Sequence, residues 1–171
     1  MTVMVRPGRV KDAQGIASVH VESWRTTYPR IVPENYLASL DVAVQAARWR
    51  DQLRRRTMHI LVAEEASRVV GFASGGKLRE AIGAYDAELY AIYLLQENQN
   101  QGVGTLLVRR LAADLSTSGF KSLVVWVLKK NPAVAFYSRL GGSQIAEKRI
   151  DIGGLELDEI ALGWSSLKTL L

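Results

Sequence analysis

The sequence predicts an α/β (α+β) fold, a mainly antiparallel sheet flanked by helices, and three observations predict it. Strand-like runs and helical periods alternate in the order βααβββαβαββ. Hairpin signals at Ser67-Arg68 and Gly153-Gly154 join sequential strands antiparallel. A glycine loop, Gln99-Asn100-Gln101-Gly102-Val103-Gly104, separates a long strand from the most regular helix. No internal repeat, low-complexity tract or Pro/Ser-rich linker interrupts the 171 residues, so 1–171 reads as one domain.

Thr2 to Arg6 reads as the first strand. Asp12 caps a helix whose apolar face is Ile16, Val19 and Trp24, at helical spacing. Pro29 and Pro33 bracket a loop. A helical stretch from Glu34 to Arg56 is broken near Leu40-Asp41. His59 to Glu64 and Val69 to Lys77 form a hairpin; Gly71, Gly75 and Gly76 weaken its second strand without forbidding it. Tyr85 to Leu94 is the central strand, and strict alternation puts Glu88, Tyr90 and Ile92 on one side with Leu89, Ala91 and Tyr93 on the other. Val103, Leu106, Leu107, Leu111 and Leu115 share one face of the next helix, which Ser118-Gly119 stops. Ser122 to Leu128 is a buried strand. Asn131 to Leu140 is a helix, with Asn131 as cap, Pro132 at its first position and Gly141 as its stop. Ser143 to Asp151 and Leu155 to Trp164 form the last hairpin.

Composition narrows the function. The chain is 48% hydrophobic with mean hydropathy near zero, as in globular domains. No apolar run approaches a membrane span, and the N-terminus lacks a charged-then-apolar signal layout. The absence of cysteine excludes disulfides, thiolate catalysis and Cys-based zinc sites; a cytoplasmic setting is the expectation. His20 and His59 are not at ligand spacing, so no metal site is expected. The net charge of +5 fits a nucleic acid or a highly anionic cofactor. The densest cluster, Arg54-Arg55-Arg56, sits at a helix end, where cations are favourable in any case, and lacks the interleaved aromatics of single-strand binders. Nucleic acid is therefore not an expected partner.

A strand, a glycine loop and a helix start present bare backbone N–H groups and a positive dipole end to a phosphate. Gly102 is not followed by Gly-Lys-Ser/Thr, which excludes a Walker A loop, and Leu107 stands where a dinucleotide fingerprint needs its third glycine. What remains is Gln-x-x-Gly-x-Gly. It resembles the pyrophosphate loop of the GNAT N-acetyltransferase family, which binds acetyl-CoA. A second stretch, Asn131-Pro132-Ala133-Val134-Ala135-Phe136-Tyr137-Ser138-Arg139-Leu140-Gly141, resembles the family's later signature: an Asn, a short helix with a Phe-Tyr pair, then Leu-Gly. Val5-Arg6-Pro7 followed by Asp12-Ala13 is similar to the family's opening. The matches run from Val5 to Gly141, and the closing strands fit as well.

The resemblance implies a fold and a set of roles. The fourth and fifth strands splay apart, acetyl-CoA lies between them, and backbone groups of Ile92, Tyr93 and Leu94 bond its pantetheine arm, with the Ile92 N–H polarising the thioester carbonyl. The amides of Gln101, Gly102, Val103, Gly104 and Thr105 meet the pyrophosphate, flanked by Gln99 and Asn100. Many members carry Arg in this loop; here there is none. Tyr137 matches the family's acid, and a phenol is protonated at neutral pH. Glu88 is the candidate base, with a pKa raised by burial beside Tyr90 and Ile92. Asn131 caps its helix and touches the cofactor. Trp24, Tyr28 and Tyr36 lie in the segment that arches over the acceptor, and the small Ala91 leaves acyl-chain preference open. Gly142 stands where an aromatic is common. The implied activity is acetyl transfer to a primary amine in a ternary complex; a non-catalytic acyl-CoA-binding module is the alternative. The last hairpin leaves a homodimer open.

Overall fold

The computed structural model describes residues 2–171. Twelve principal elements follow in order: β1 (Met4–Pro7), α1 (Ala13–Thr27), α2 (Glu34–Ser39), α3 (Val42–Arg55), β2 (His59–Glu65), β3 (Arg68–Lys77), β4 (Ala87–Leu94), α4 (Val103–Thr117), β5 (Leu123–Leu128), α5 (Ala133–Arg139), β6 (Ser143–Ile152) and β7 (Leu155–Trp164). The expected order holds, with the second helical stretch divided into α2 and α3. The break has a local cause: Leu40 is extended, and Asp41 Oδ1 accepts the Val44 N–H at 2.9 Å, capping a fresh helix. The arginine run closes α3, with Arg56 left-handed and Arg55 paired to Asp51 one turn back, as a solvated helix end should be.

The strands form one sheet in the order β1-β2-β3-β4-β5-β7-β6. Among the described residues every neighbouring pair is antiparallel except β4–β5, which is parallel and brief. Its register runs only from Ala87↔Leu123 to Leu89↔Val125. Beyond Leu89 the two strands part. The base of this splay is clasped: Asp86 accepts from Lys121 N–H, Ser122 N–H and Ser122 Oγ at 2.8–2.9 Å. Burial pushes the Asp86 carboxyl up, but the Ser122 and Lys121 donors outweigh it and hold it below its usual range.

The strict alternation expected along β4 fails at Tyr90. Register passes from Gly75↔Leu89 to Ser74↔Ala91, so Tyr90 is an extra residue, a β-bulge. Directly paired residues share a face of a sheet. Gly76↔Glu88, Ser74↔Ala91 and Phe72↔Tyr93 therefore lie on one face, and Gly75↔Leu89, Ala73↔Ile92 and Gly71↔Leu94 on the other. Glu88 shares its face with Ala91 and Tyr93, not with Ile92. A single inserted residue inverts the alternation downstream of it.

Helices cover both faces. The first receives α1 and α3: Phe72 and Tyr93 pack against His20, with Trp49 edge-on to Phe72. The His20 ring accepts the Trp49 N–H at 3.2 Å, and burial, helped by Arg48, lowers its pKa to about 4. The second face receives α4 and α5. A Cβ on Gly75 would lie 2.9 Å from Leu111, and one on Gly104 would lie 3.2 Å from Phe136. A smaller core of Tyr28, Val32, Leu37 and Leu128 joins the end of α1 and α2 to the β6–β7 hairpin.

Candidate active site

The splay between β4 and β5 is a cleft of about 790 Å³. Its walls come from both faces of the sheet: Gly102, Gly104, Phe136 and Tyr137 from the α4–α5 side, Trp24, Tyr28 and Glu159 from the α1 and β6–β7 side. The bulged segment Tyr90 to Leu94 runs between them. A strand that has lost one neighbour has lost half of its ladder, so this edge faces the cleft with backbone groups to spare.

The glycine loop opens α4. Asn100 and Gly102 both have positive φ, 58° and 83°. Among the described residues no acceptor meets the backbone N–H groups from Asn100 to Thr105; the first bond of the helix is Leu106 N–H to Gly102 O at 3.0 Å. A Cβ on Gly102 would meet nothing within 4 Å, so the bare backbone there fronts open space. These features fit a diphosphate: free donors, a helix N-terminus and unobstructed approach.

The loop's side chains are spent on the loop. Gln99 Nε2 donates to Leu94 O at 3.3 Å, and Gln101 Nε2 donates to Glu97 O at 2.6 Å. Ser23 Oγ, from α1, also donates to Leu94 O at 3.0 Å. The Leu94 carbonyl is thus doubly occupied and tethers the loop to β4. The loop has no cation of its own, but sequence reasoning did not single out Arg139, which lines the same cleft from the end of α5 and has no carboxylate paired with it among the described residues.

Tyr137 and Asn131 come to the cleft on α5 and the turn before it. Asn131 Oδ1 accepts the Ala133 N–H at 2.8 Å, which caps the helix, while its Nδ2 donates to Tyr28 OH at 3.0 Å. One side chain therefore ties the two walls together. Gly141, at φ 90°, ends α5, and the Gly142 N–H bonds Tyr137 O at 3.0 Å. Gly142 has its own reason: a Cβ there would lie 2.8 Å from Trp164 Cζ2. Trp164 fills this corner, and its Nε1 donates to Leu140 O at 2.9 Å. Tyr137 is 4% exposed, packed edge-on to Trp164, and burial, reinforced by Tyr93, pushes its phenol above the usual range.

Glu88 is 2% exposed, and Arg79 closes over it. Arg79 Nη2 donates to Oε1 at 2.5 Å, Nε lies 3.2 Å from both oxygens, and the Arg79 backbone N–H donates to Oε2 at 3.1 Å. Arg79, not Glu88, forms the cleft wall, with its guanidinium 4.8 Å above the Tyr90 ring. The expected apolar surroundings of Glu88 are replaced by an ion pair. On the acceptor side Trp24 and Tyr28 meet at 4.4 Å and Tyr36 approaches Trp24 at 5.9 Å, so the three expected aromatics cluster. Burial pushes the Tyr93 phenol up to about 12.

Glu159 is the site residue that sequence reasoning missed. It pairs with Leu128 on β5 and Lys148 on β6, and it lines the cleft half-buried. Its signal was present: Leu155, Leu157 and Glu159 share one face of β7, and Leu157 packs in the smaller core, so a carboxylate stands in an apolar stripe. Burial raises its pKa; Lys148 and Arg79 oppose the rise, Glu80 and Glu88 add to it.

Residues 69–150 match the model of the FR47-like protein family. An uncharacterised N-acetyltransferase of Bacillus subtilis, YuaI, is 44% identical over 99% of this chain and 98% of its own. The chain belongs to the GNAT N-acetyltransferase family. As a member it is an acetyl-transferring enzyme. The L-methionine sulfoximine/L-methionine sulfone acetyltransferase of Pseudomonas aeruginosa is 27% identical over 82% of this chain and 80% of its own. The yncA structure from Salmonella typhimurium, a putative acetyltransferase solved with acetyl-CoA, superposes with a TM-score of 0.73 at 20% identity, covering 96% of this chain and 94% of that one. Among the described residues of this N-acetyltransferase no His/Cys/Asp/Glu cluster suits a metal, and no helix is long and apolar enough to cross a membrane.

Proposed function

We propose that the protein transfers the acetyl group of acetyl-CoA directly to a primary amine, with both substrates bound in the cleft at once. The observation that carries the reading is the splay itself: a strand edge freed beyond Leu89, beside free amides from Asn100 to Thr105 at the start of α4. The amides of Gln101 to Thr105 hold the pyrophosphate. The backbone of Ile92 and Tyr93 takes the amide-rich pantetheine arm as a strand would be taken, and the Ile92 N–H polarises the thioester carbonyl. Tyr137, kept protonated by burial, gives the leaving thiolate its proton. Glu88 reaches the amine only through water or by releasing part of the Arg79 fork.

The test is an initial-rate study with acetyl-CoA and an amine varied together, the product identified by mass. Direct transfer predicts intersecting double-reciprocal lines and an N-acetyl product. Parallel lines, the mark of an acyl-enzyme intermediate, would refute it.

A further inference from the structure

Four charges act on Glu159, those of Arg79, Glu88, Lys148 and Glu80, and they cancel in pairs. Arg79 is matched by Glu88, which takes both Nε and Nη2. Lys148 is matched by Glu80 at 3.0 Å and rests over the Trp126 ring. Glu159 has no ion-pair partner at salt-bridge distance among the described residues, and it faces Tyr28 from α1, Tyr93 from β4, Lys148 from β6, and Arg79 and Glu80 from the β3–β4 connection. The cleft that Glu159 lines also carries Trp24, Tyr28, Trp126, Ile150 and Ile152. One unmatched negative charge in an aromatic and aliphatic pocket suits one positive charge on an apolar body. A zwitterion fits it less well: a second carboxylate would stand against Glu159, and the Arg79 fork that would grip it bidentately is already engaged by Glu88, which leaves Arg139 as the cleft-lining cation without a carboxylate partner among the described residues.

We infer that Glu159 binds the acceptor's ammonium and takes its proton, and that the acceptor is a monocationic primary amine on an apolar or aromatic body. The inference rests on the acetyl-transfer reading above. Glu159 removes one proton from the ammonium and frees the nitrogen lone pair. That pair attacks the thioester carbonyl carbon; the C–N bond forms, and the π electrons move to oxygen. Their return breaks the C–S bond, and the departing sulfur takes the Tyr137 hydroxyl proton. The nitrogen's second proton restores the Tyr137 hydroxyl, and Glu159 passes its proton to solvent. Ammonium and thioester become amide, thiol and one proton.

The experiment follows thiol release from acetyl-CoA, which a chain without cysteine leaves free of background. The probes are 2-phenylethylamine and phenylalanine, the same body without and with a carboxylate. Wild-type enzyme should favour phenylethylamine at least 10-fold in kcat/KM. The acidic limb of its pH profile should lie above the ordinary glutamate range, because activity needs the carboxylate and burial raises the pKa. Glu159→Gln should bind acetyl-CoA normally, which certifies its fold, yet lose about 100-fold in kcat/KM and lose the limb. Glu88→Gln should keep the limb. The inference is overturned if Glu159→Gln stays within threefold of wild type, if the limb disappears in Glu88→Gln instead, or if phenylalanine is preferred, the outcome that an amino-acid acceptor like that of the Pseudomonas relative would give. Acetyl-CoA binding without turnover of either probe overturns the acceptor class alone; no acetyl-CoA binding overturns the transfer reading. Should Glu159→Gln not fold, the wild-type limb and probe preference decide.

Discussion

Tyr137 and Glu159 are both held in an unfavourable state for their charged forms, and each consequence is measurable. Burial keeps the Tyr137 phenol protonated, so its proton is in place at neutral pH. Tyr137→Phe removes the proton and little packing. It should lower kcat about 100-fold while acetyl-CoA affinity stays nearly constant; an unchanged kcat would move the acid elsewhere. Glu159 has a folded-state pKa above its unfolded value, so the folded chain holds the proton more tightly. Stability from this group is therefore lost as pH rises from the ordinary glutamate range through the raised value. Glu159→Gln removes that penalty. Its melting temperature should exceed wild type at pH 8, and the gain should vanish near pH 4. A lower melting temperature at pH 8 would mean that Arg79 and Lys148 stabilise the carboxylate outright. A site carboxylate that costs stability is the trade-off expected of a functional group.

At the scale of elements, α5 and its cap show how local chemistry sets a site. Asn131, Gly141 and Gly142 fix both ends of a seven-residue helix, and Trp164 fits against the bare Gly142 backbone. Gly142→Ala would place a methyl 2.8 Å from Trp164 Cζ2 and 3.0 Å from Tyr137 O. Overpacking of this kind costs about 1–3 kcal/mol, visible as a lower melting temperature; an unaltered one would show that the corner yields. The approximate helix limits, both hairpins and the loop were legible because turns and periodicity are local signals, although Asp12, expected to cap α1, instead engages Arg6 and the Arg9 N–H with its carboxylate. The β4 bulge was not legible. It depends on how Gly75 and Ser74 pair across from Tyr90, which no single strand announces. The facing of Glu88 was misread for that reason, and its partner Arg79 lies in a connection without periodicity. Glu159 was legible in principle, as a charge in an apolar stripe, but only knowledge of the sheet order puts β7 beside the cleft.

For the whole molecule, the cleft follows from one parallel pairing in an otherwise antiparallel sheet. Three paired residues and the Asp86 clasp hold β4 and β5 together at one end, and among the described residues no ladder pair joins them beyond Leu89. Everything assigned here to acetyl-CoA depends on that gap being a binding cleft with the Gly102 loop at its mouth. Titration calorimetry of acetyl-CoA against wild type and Gly102→Val tests it most directly. A Cβ at φ 83° strains the loop and occupies the space through which a phosphate would approach. The account predicts saturable binding by wild type and loss of at least 10-fold in affinity for the variant, with the fold retained by circular dichroism. Equal binding by both, or none by a folded wild type, would contradict it.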